Sequence, residues 1–245
     1  MRQKIRNLIL LLSLLAFPVT LNYFSPYVSI DGAMNGIVSG SLCVFALQFL
    51  SGLFIGRALC GWLCPIGGLS DILIRTNDRV VNRRVTRIVR YGIFLVWGGV
   101  LVTMFILAGG IKGIDPLHMT ESGISTDEPL RYVTYGMIVL LIVLVTVFVG
   151  RRGGCHSICW IAPFMAAGYR IGQLLRLPQL RIVATDKACT RCGTCDRNCP
   201  MSLPVQASRQ EGCVRTSDCI LCGACVDGCR LHALTYRVLR IRKGA

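Results

Sequence analysis

The chain has 245 residues, 53% of them hydrophobic and only 16% charged, too apolar a balance for an ordinary soluble protein of this length. Its 27 Lys and Arg against 12 Asp and Glu give a formal charge of +15, and its 14 cysteines lie far above average usage. The positions of these residues exclude two simple readings. The basic residues flank apolar runs, which indicates a membrane surface and not nucleic acid, and eight cysteines have metal-ligand spacing, which argues against a disulfide scaffold.

Four stretches lack charged side chains over the roughly 20 residues that a bilayer-spanning helix needs. They are Asn7–Ile30, Gly32–Gly56, Tyr91–Ile111 and Tyr132–Gly150. The first follows MRQKIRN and so resembles a secretory signal, but no A-x-A cleavage site follows it and Pro18 leads back into apolar residues. It is read as a retained first span. Arg2, Lys4 and Arg6 precede it; Arg57, Arg75, Arg79, Arg83, Arg84, Arg87 and Arg90 lie between spans two and three; Arg151 and Arg152 follow span four. The other two loops are poor in Lys and Arg. The positive-inside rule therefore predicts a multi-pass protein of the cytoplasmic (inner) membrane with both termini in the cytoplasm.

At the ends of spans two and four stand GRALCGWLCP (56–65) and GRRGGCHSICW (150–160). In each, a Gly-Arg dipeptide precedes two cysteines four residues apart, Cys60 with Cys64 and Cys155 with Cys159. That separation places two thiols on one face of a helical turn, and Pro65 ends or kinks the first turn. If the two span-pairs are related by an axis along the membrane normal, the four cysteines meet near it. They then form either a third metal centre, iron–sulfur or zinc, or pairs of redox thiols.

After Leu177-Pro178 come CTRCGTCDRNCP (189–200) and CILCGACVDGCR (219–230), each with the spacing C-x2-C-x2-C-x3-C. Three cysteines in a tight turn reach three irons of a cubane, and in the bacterial two-cluster arrangement the fourth cysteine of each run ligates the other cluster. One [4Fe-4S] cluster then takes Cys189, Cys192, Cys195 and Cys229, and the other takes Cys219, Cys222, Cys225 and Cys199. Gly193 and Gly223 match where the backbone must turn tightly. The expected fold is an all-α membrane bundle of four transmembrane helices, residues 1–176, followed by an α+β bacterial-type two-cluster ferredoxin domain, residues 177–245.

Four spans, two C-x3-C motifs and a C-terminal two-cluster ferredoxin together resemble the NapH/MauN group of polytopic membrane ferredoxins, and are similar to the membrane part of NosR-type proteins. The resemblance covers nearly the whole chain. The family motif reads C-x3-C-P, matched at Cys60-Cys64-Pro65, whereas Cys159 is followed by Trp160. The resemblance implies an electron-transfer subunit that links the quinone pool to a partner redox protein within an oxidoreductase complex. A role in maturing a periplasmic enzyme is the alternative it leaves open.

A quinone site needs an apolar slot with a group able to exchange a proton. On the periplasmic side Asp115, His118 and Glu121 are candidates; on the cytoplasmic side Trp62 and His156 are. Of the three histidines, His118, His156 and His232, none lies inside an expected span, which excludes a bis-histidine b-haem in the bilayer.

Overall fold

The computed structural model describes residues 1–120, 123–125, 129–185, 189–208 and 212–240. Helix α1 (Arg2–Leu15) stops at Ala16, and α2 (Phe17–Thr20) carries Pro18 in its first turn before a 3₁₀ turn, Leu21–Phe24. Proline has no N–H to give and its ring crowds the preceding turn. The first expected span is accordingly bent by 62° at this break. Pro26 then opens α3 (Pro26–Met34), and β1 (Ile37–Ser39) leads into α4 (Gly40–Ile55). At 16 residues, α4 rises about 24 Å, short of the ~30 Å hydrocarbon core of a bilayer. Two short helices follow, α5 (Ala58–Trp62) and α6 (Pro65–Leu73), and then α7 (Arg83–Leu107), whose first turn is capped by the Asn82 side chain accepting from the N–H groups of Arg84 and Val85.

The four-span expectation is therefore revised. Among the described residues two single helices are long and apolar enough to cross a membrane, α7 and residues 131–149 of α8 (Pro129–Val149), with the bent first pair a third if counted as one span. Both present apolar side chains outward, Leu95, Val96 and Ile106 on α7 and Val133, Met137 and Phe148 on α8, as lipid-facing helices do. The membrane half is also not purely helical. Strand β1 pairs in parallel with β2 (Gly113–Asp115), Ile37 opposite Gly113.

Helices α9 (Gly153–Ser157) and α10 (Ile161–Leu174) complete this half. Helix α10 lies along α4 so closely that a Cβ on Gly168 or Gly172 would collide with the carbonyls of Phe49 or Leu53, and one on Gly52 would sit 2.8 Å from that of Met165. Glycines spaced four apart let two backbones touch, the usual device of helices packed in lipid.

The C-terminal unit pairs β3 (Gln179–Ala184) antiparallel with β4 (Leu234–Leu239) and carries two one-turn helices, α11 (Thr194–Arg197) and α12 (Ala224–Asp227). Its two cysteine runs repeat in backbone as well as in sequence. Arg191, Gly193 and Ser202 have φ of +58°, +72° and +50°; Leu221, Gly223 and His232, each 30 residues on, have +49°, +77° and +49°. One apolar core joins this unit to the bundle, with Phe45, Cys60, Trp97 and Met165 packed in the same cluster as Met201, Ile220, Leu221 and Cys222.

Candidate iron–sulfur sites

Each left-handed residue in the cysteine runs reverses the chain, so that the cysteines point back into the space the loop encloses. One small cavity is lined by Cys199, Cys219, Cys222 and Cys225, walled by Ile182, Met201, Val205 and Ile220. A second is lined by Cys189, Cys192, Cys195 and Cys229. The fourth cysteine of each run thus sits with the first three of the other.

The two quartets differ in access. Cys199, Cys222 and Cys225 are buried, whereas Cys192 is exposed. Burial pushes the Cys219 thiol up to about 12 and that of Cys199 up to about 11, while hydrogen bonding to Thr194 holds Cys192 below the ordinary thiol value. Metal binding requires such thiols to lose their protons, and the metal's positive charge would compensate the buried thiolates. Among the described residues no three His, Cys, Asp or Glu side chains converge tightly enough for a single metal ion. A cubane spreads its cysteines over four irons and needs them further apart than one ion does.

The run 219–229 faces the membrane half. A Cβ on Gly61 would strike the Ile220 carbonyl, and Trp62 Nε1 donates to the Leu221 carbonyl at 3.0 Å. Beneath it Asp218 gathers four arginines: Arg90 at 2.8 Å, Arg87 at 2.9 Å, Arg57 at 3.4 Å and Arg83 at 3.5 Å. Burial pushes the Asp218 carboxyl up, but Arg57 and Arg90 outweigh it and hold the group well below the usual carboxylate range. Arg151 Nη1 donates to the Arg197 carbonyl at 2.7 Å, tying the first run down as well. At the edge, Arg2 pairs with Asp227 and Gln3 donates to the Cys222 carbonyl at 3.0 Å.

The two C-x3-C motifs also meet. Cys64, Cys155 and Cys159 each lie within electrostatic reach of Cys60, though the motifs are some 90 residues apart in sequence. Cys64 caps α6 at ψ +122° with Pro65 in the first turn, so the first motif breaks between its cysteines and the next helix. In the second motif Trp160 occupies the cap of α10 and its Nε1 donates to the Phe24 carbonyl at 3.1 Å. Burial pushes Cys159 up to about 12 and raises Cys64 and Cys155. Reactive redox thiols are distinguished by a lowered pKa.

The remaining candidates do not converge as expected. Trp62 is held in the contact with Leu221. His156 is buried, its Nε2 has no partner among the described residues, and burial pushes it down to about 3, with Arg57 adding to the effect. His118 Nε2 lies 2.8 Å from Asp31, not on Asp115, whose side chain accepts from the Leu117 N–H. Glu121 lies outside the described residues. Reasoning from sequence missed Asp31, Asp218 and a further feature: an apolar cavity of about 260 Å³ beside Cys159 and Trp160, walled by Phe17, Leu21, Phe24, Ile138 and Ile142. Neither Trp62 nor His156 is in its lining.

Sulfur donors grouped in fours on a largely helical, partly membrane-suited frame define an iron–sulfur electron-transfer protein of ferredoxin type. The sequence matches a family model described as "4Fe-4S binding domain" over residues 37–87 and 132–178, one segment for each C-x3-C motif, and one described as "4Fe-4S dicluster domain" over residues 188–234. It is 30% identical over 215 residues to the methylamine utilization ferredoxin-type protein MauN of Paracoccus denitrificans, covering 82% of this chain and 68% of that one. It is 25% identical over 212 residues to the ferredoxin-type protein NapH of Escherichia coli, covering 81% and 67%. It is 24% identical over 180 residues to MauN of Methylorubrum extorquens, covering 71% of this chain and 59% of that relative's length. The chain belongs to the NapH/MauN family of ferredoxin-type proteins. No solved structure matches it.

Proposed function

We propose that this protein exchanges electrons between a lipid-soluble quinone and a partner redox protein through three iron–sulfur centres. Cys60, Cys64, Cys155 and Cys159 would hold the innermost, Cys199, Cys219, Cys222 and Cys225 the next, and Cys189, Cys192, Cys195 and Cys229 the outermost. When bound, such clusters each take up and release single electrons at potentials set by their surroundings.

The observation that carries this reading is the direct seat of the first membrane motif on the buried quartet's loop, Gly61 against Ile220 and Trp62 bonded to Leu221. This contact holds the membrane cysteines beside the second quartet, and the exposed Cys192 opens the first quartet to a partner. The match of both C-x3-C segments to a 4Fe-4S binding domain model supports metal ligation by Cys60, Cys64, Cys155 and Cys159 over dithiol chemistry. The basic residues on the ferredoxin side support a cytoplasmic placement of both termini.

The apolar cavity supports the quinone. Cys159 and Trp160 form one wall, span α8 another through Ile138 and Ile142, and Ser25 and Tyr27 supply hydroxyls able to bond a quinone oxygen. It takes the place of the two quinone sites expected from sequence. The apolar walls exclude water and admit a ring from the bilayer, leaving the hydroxyls to orient its oxygens.

The test is anaerobic addition of a quinol to the purified, cluster-loaded protein, followed by EPR. Reduced iron–sulfur signals growing with quinol concentration are expected. Clusters reducible by dithionite but inert to every quinol would overturn the quinone link and leave iron–sulfur transfer standing.

A further inference from the structure

Each membrane cysteine motif carries an arginine three residues before its first cysteine, Arg57-Ala-Leu-Cys60 and Arg152-Gly-Gly-Cys155. This register matches the repeat more closely than the shared Gly-Arg dipeptide does. Both arginines are sealed from solvent, with 1% and 0% of the residue exposed. Burying a guanidinium is costly unless something negative faces it. Arg152 in addition holds φ at +48°, a region that residues with a Cβ rarely adopt. The Arg57 carbonyl accepts from the Cys60 N–H at 3.1 Å and the Arg152 carbonyl from the His156 N–H at 3.0 Å, so each arginine starts the turn that presents the thiols.

The two side chains also reach across the repeat. Arg152 Nη1 donates to the Cys60 carbonyl, in the other motif, at 3.1 Å. Arg57 lies within electrostatic reach of Cys155 and Cys159 as well as its own Cys60. The acids nearby are outnumbered by the arginines they pair with. Asp71 binds Arg152 through Nε at 2.6 Å and Nη2 at 2.7 Å but is shared with Arg6. Asp218 is shared among four arginines, and Arg57 meets it only through Nη1. The Nε and Nη2 of Arg57 are buried without a hydrogen-bond partner among the described residues. Surplus cationic charge, and two N–H donors unpartnered among the described residues, thus lie within electrostatic reach of Cys60, Cys155 and Cys159.

We propose that Arg57 and Arg152 are the charge-compensating pair of the membrane cysteine centre, raising its reduction potential so that it accepts electrons from the bilayer side. This rests on the reading of Cys60, Cys64, Cys155 and Cys159 as an iron–sulfur centre. Four thiolates make such a centre negative, and reduction adds a further negative charge. A buried cation therefore stabilises the reduced form more than the oxidised one, and the low dielectric strengthens the effect. They are positioning residues, acting on the centre's energy and not on a substrate.

The test is an anaerobic redox titration of the full chain by EPR, following the signal that disappears in Cys60→Ser. In Arg57→Gln the midpoint falls so that the ratio of reduced to oxidised centre at the wild-type midpoint drops about tenfold, a shift of about 59 mV for one electron. Arg57→Lys, which keeps the charge, recovers most of it. Arg87→Gln, which removes a partly exposed partner of the same Asp218 but no charge facing the cysteines, moves the midpoint much less than Arg57→Gln does. Loss of the signal in Arg57→Gln but not in Arg57→Lys also supports the pair. Full iron content with an unmoved midpoint in both Arg57→Gln and Arg152→Gln overturns the proposal alone. Absence of any Cys60-dependent signal in the wild type overturns the iron–sulfur reading of these cysteines, and the proposal with it.

Discussion

Replacing Asp218 by Ala is expected to lower the unfolding free energy by about 3–5 kcal/mol, the typical cost of removing one partner from a buried ion pair. Four arginines converge on this carboxylate, and Arg57 and Arg90 are almost wholly closed from solvent. No water can replace the lost charge beside them. The carboxylate joins α7 and the first cysteine motif to the residue just before Cys219, so its loss should also loosen the ferredoxin unit from the bundle. Asp227 is the contrast. Its pair with Arg2 is about one-third exposed on both sides, and Asp227→Ala should cost no more than about 1 kcal/mol. Thermal unfolding in detergent, with limited proteolysis between residues 174 and 179, measures both. Equal effects of the two substitutions would mean that the Asp218 cluster does not fix the two halves together.

The second large effect is expected at the apolar cavity. Ile138 and Ile142 face it from α8. Ile138→Trp or Ile142→Trp would push an indole ring into a space of about 260 Å³ and obstruct the seating of a quinone ring. Quinol-driven reduction of the clusters should fall at least tenfold, while reduction by dithionite and the iron content stay at wild-type values. The split matters, because overpacking a core costs about 1–3 kcal/mol and a merely destabilised protein would lose both. Unchanged quinol-driven rates in both variants would remove the cavity from the account.

How much of this could be read from the residues depends on the range of each interaction. Cys189 to Cys199 and Cys219 to Cys229 are legible because iron–sulfur ligation is written in local spacing, and the structure gathers each set of three with the partner run's fourth cysteine. The span count was less legible. An uncharged run says that a segment tolerates lipid, but Pro18 breaks the first run and α4 is one turn too short, so the four runs yield two unbroken spanning helices among the described residues. Asp218 could not be singled out, since its partners lie more than 120 residues away and only the fold brings them together. Trp62 and His156 drew attention by lying inside the cysteine motifs. One proves to be a strut against Leu221 and the other a buried neutral ring, while the cavity is built from unremarkable Phe, Leu and Ile. Apolar pockets have no sequence motif. Trp160, the residue that departs from the family pattern, is the one that lines it.

The proposed electron path depends on a cluster held by the membrane cysteines. Anaerobic iron and acid-labile sulfide quantification, on wild type and on the Cys60→Ser, Cys155→Ser double variant, tests this most directly. At four irons per cubane, the account predicts about twelve irons in the wild type, falling to about eight in the variant, with loss of one EPR signal. About eight irons in both, with identical spectra, would contradict it.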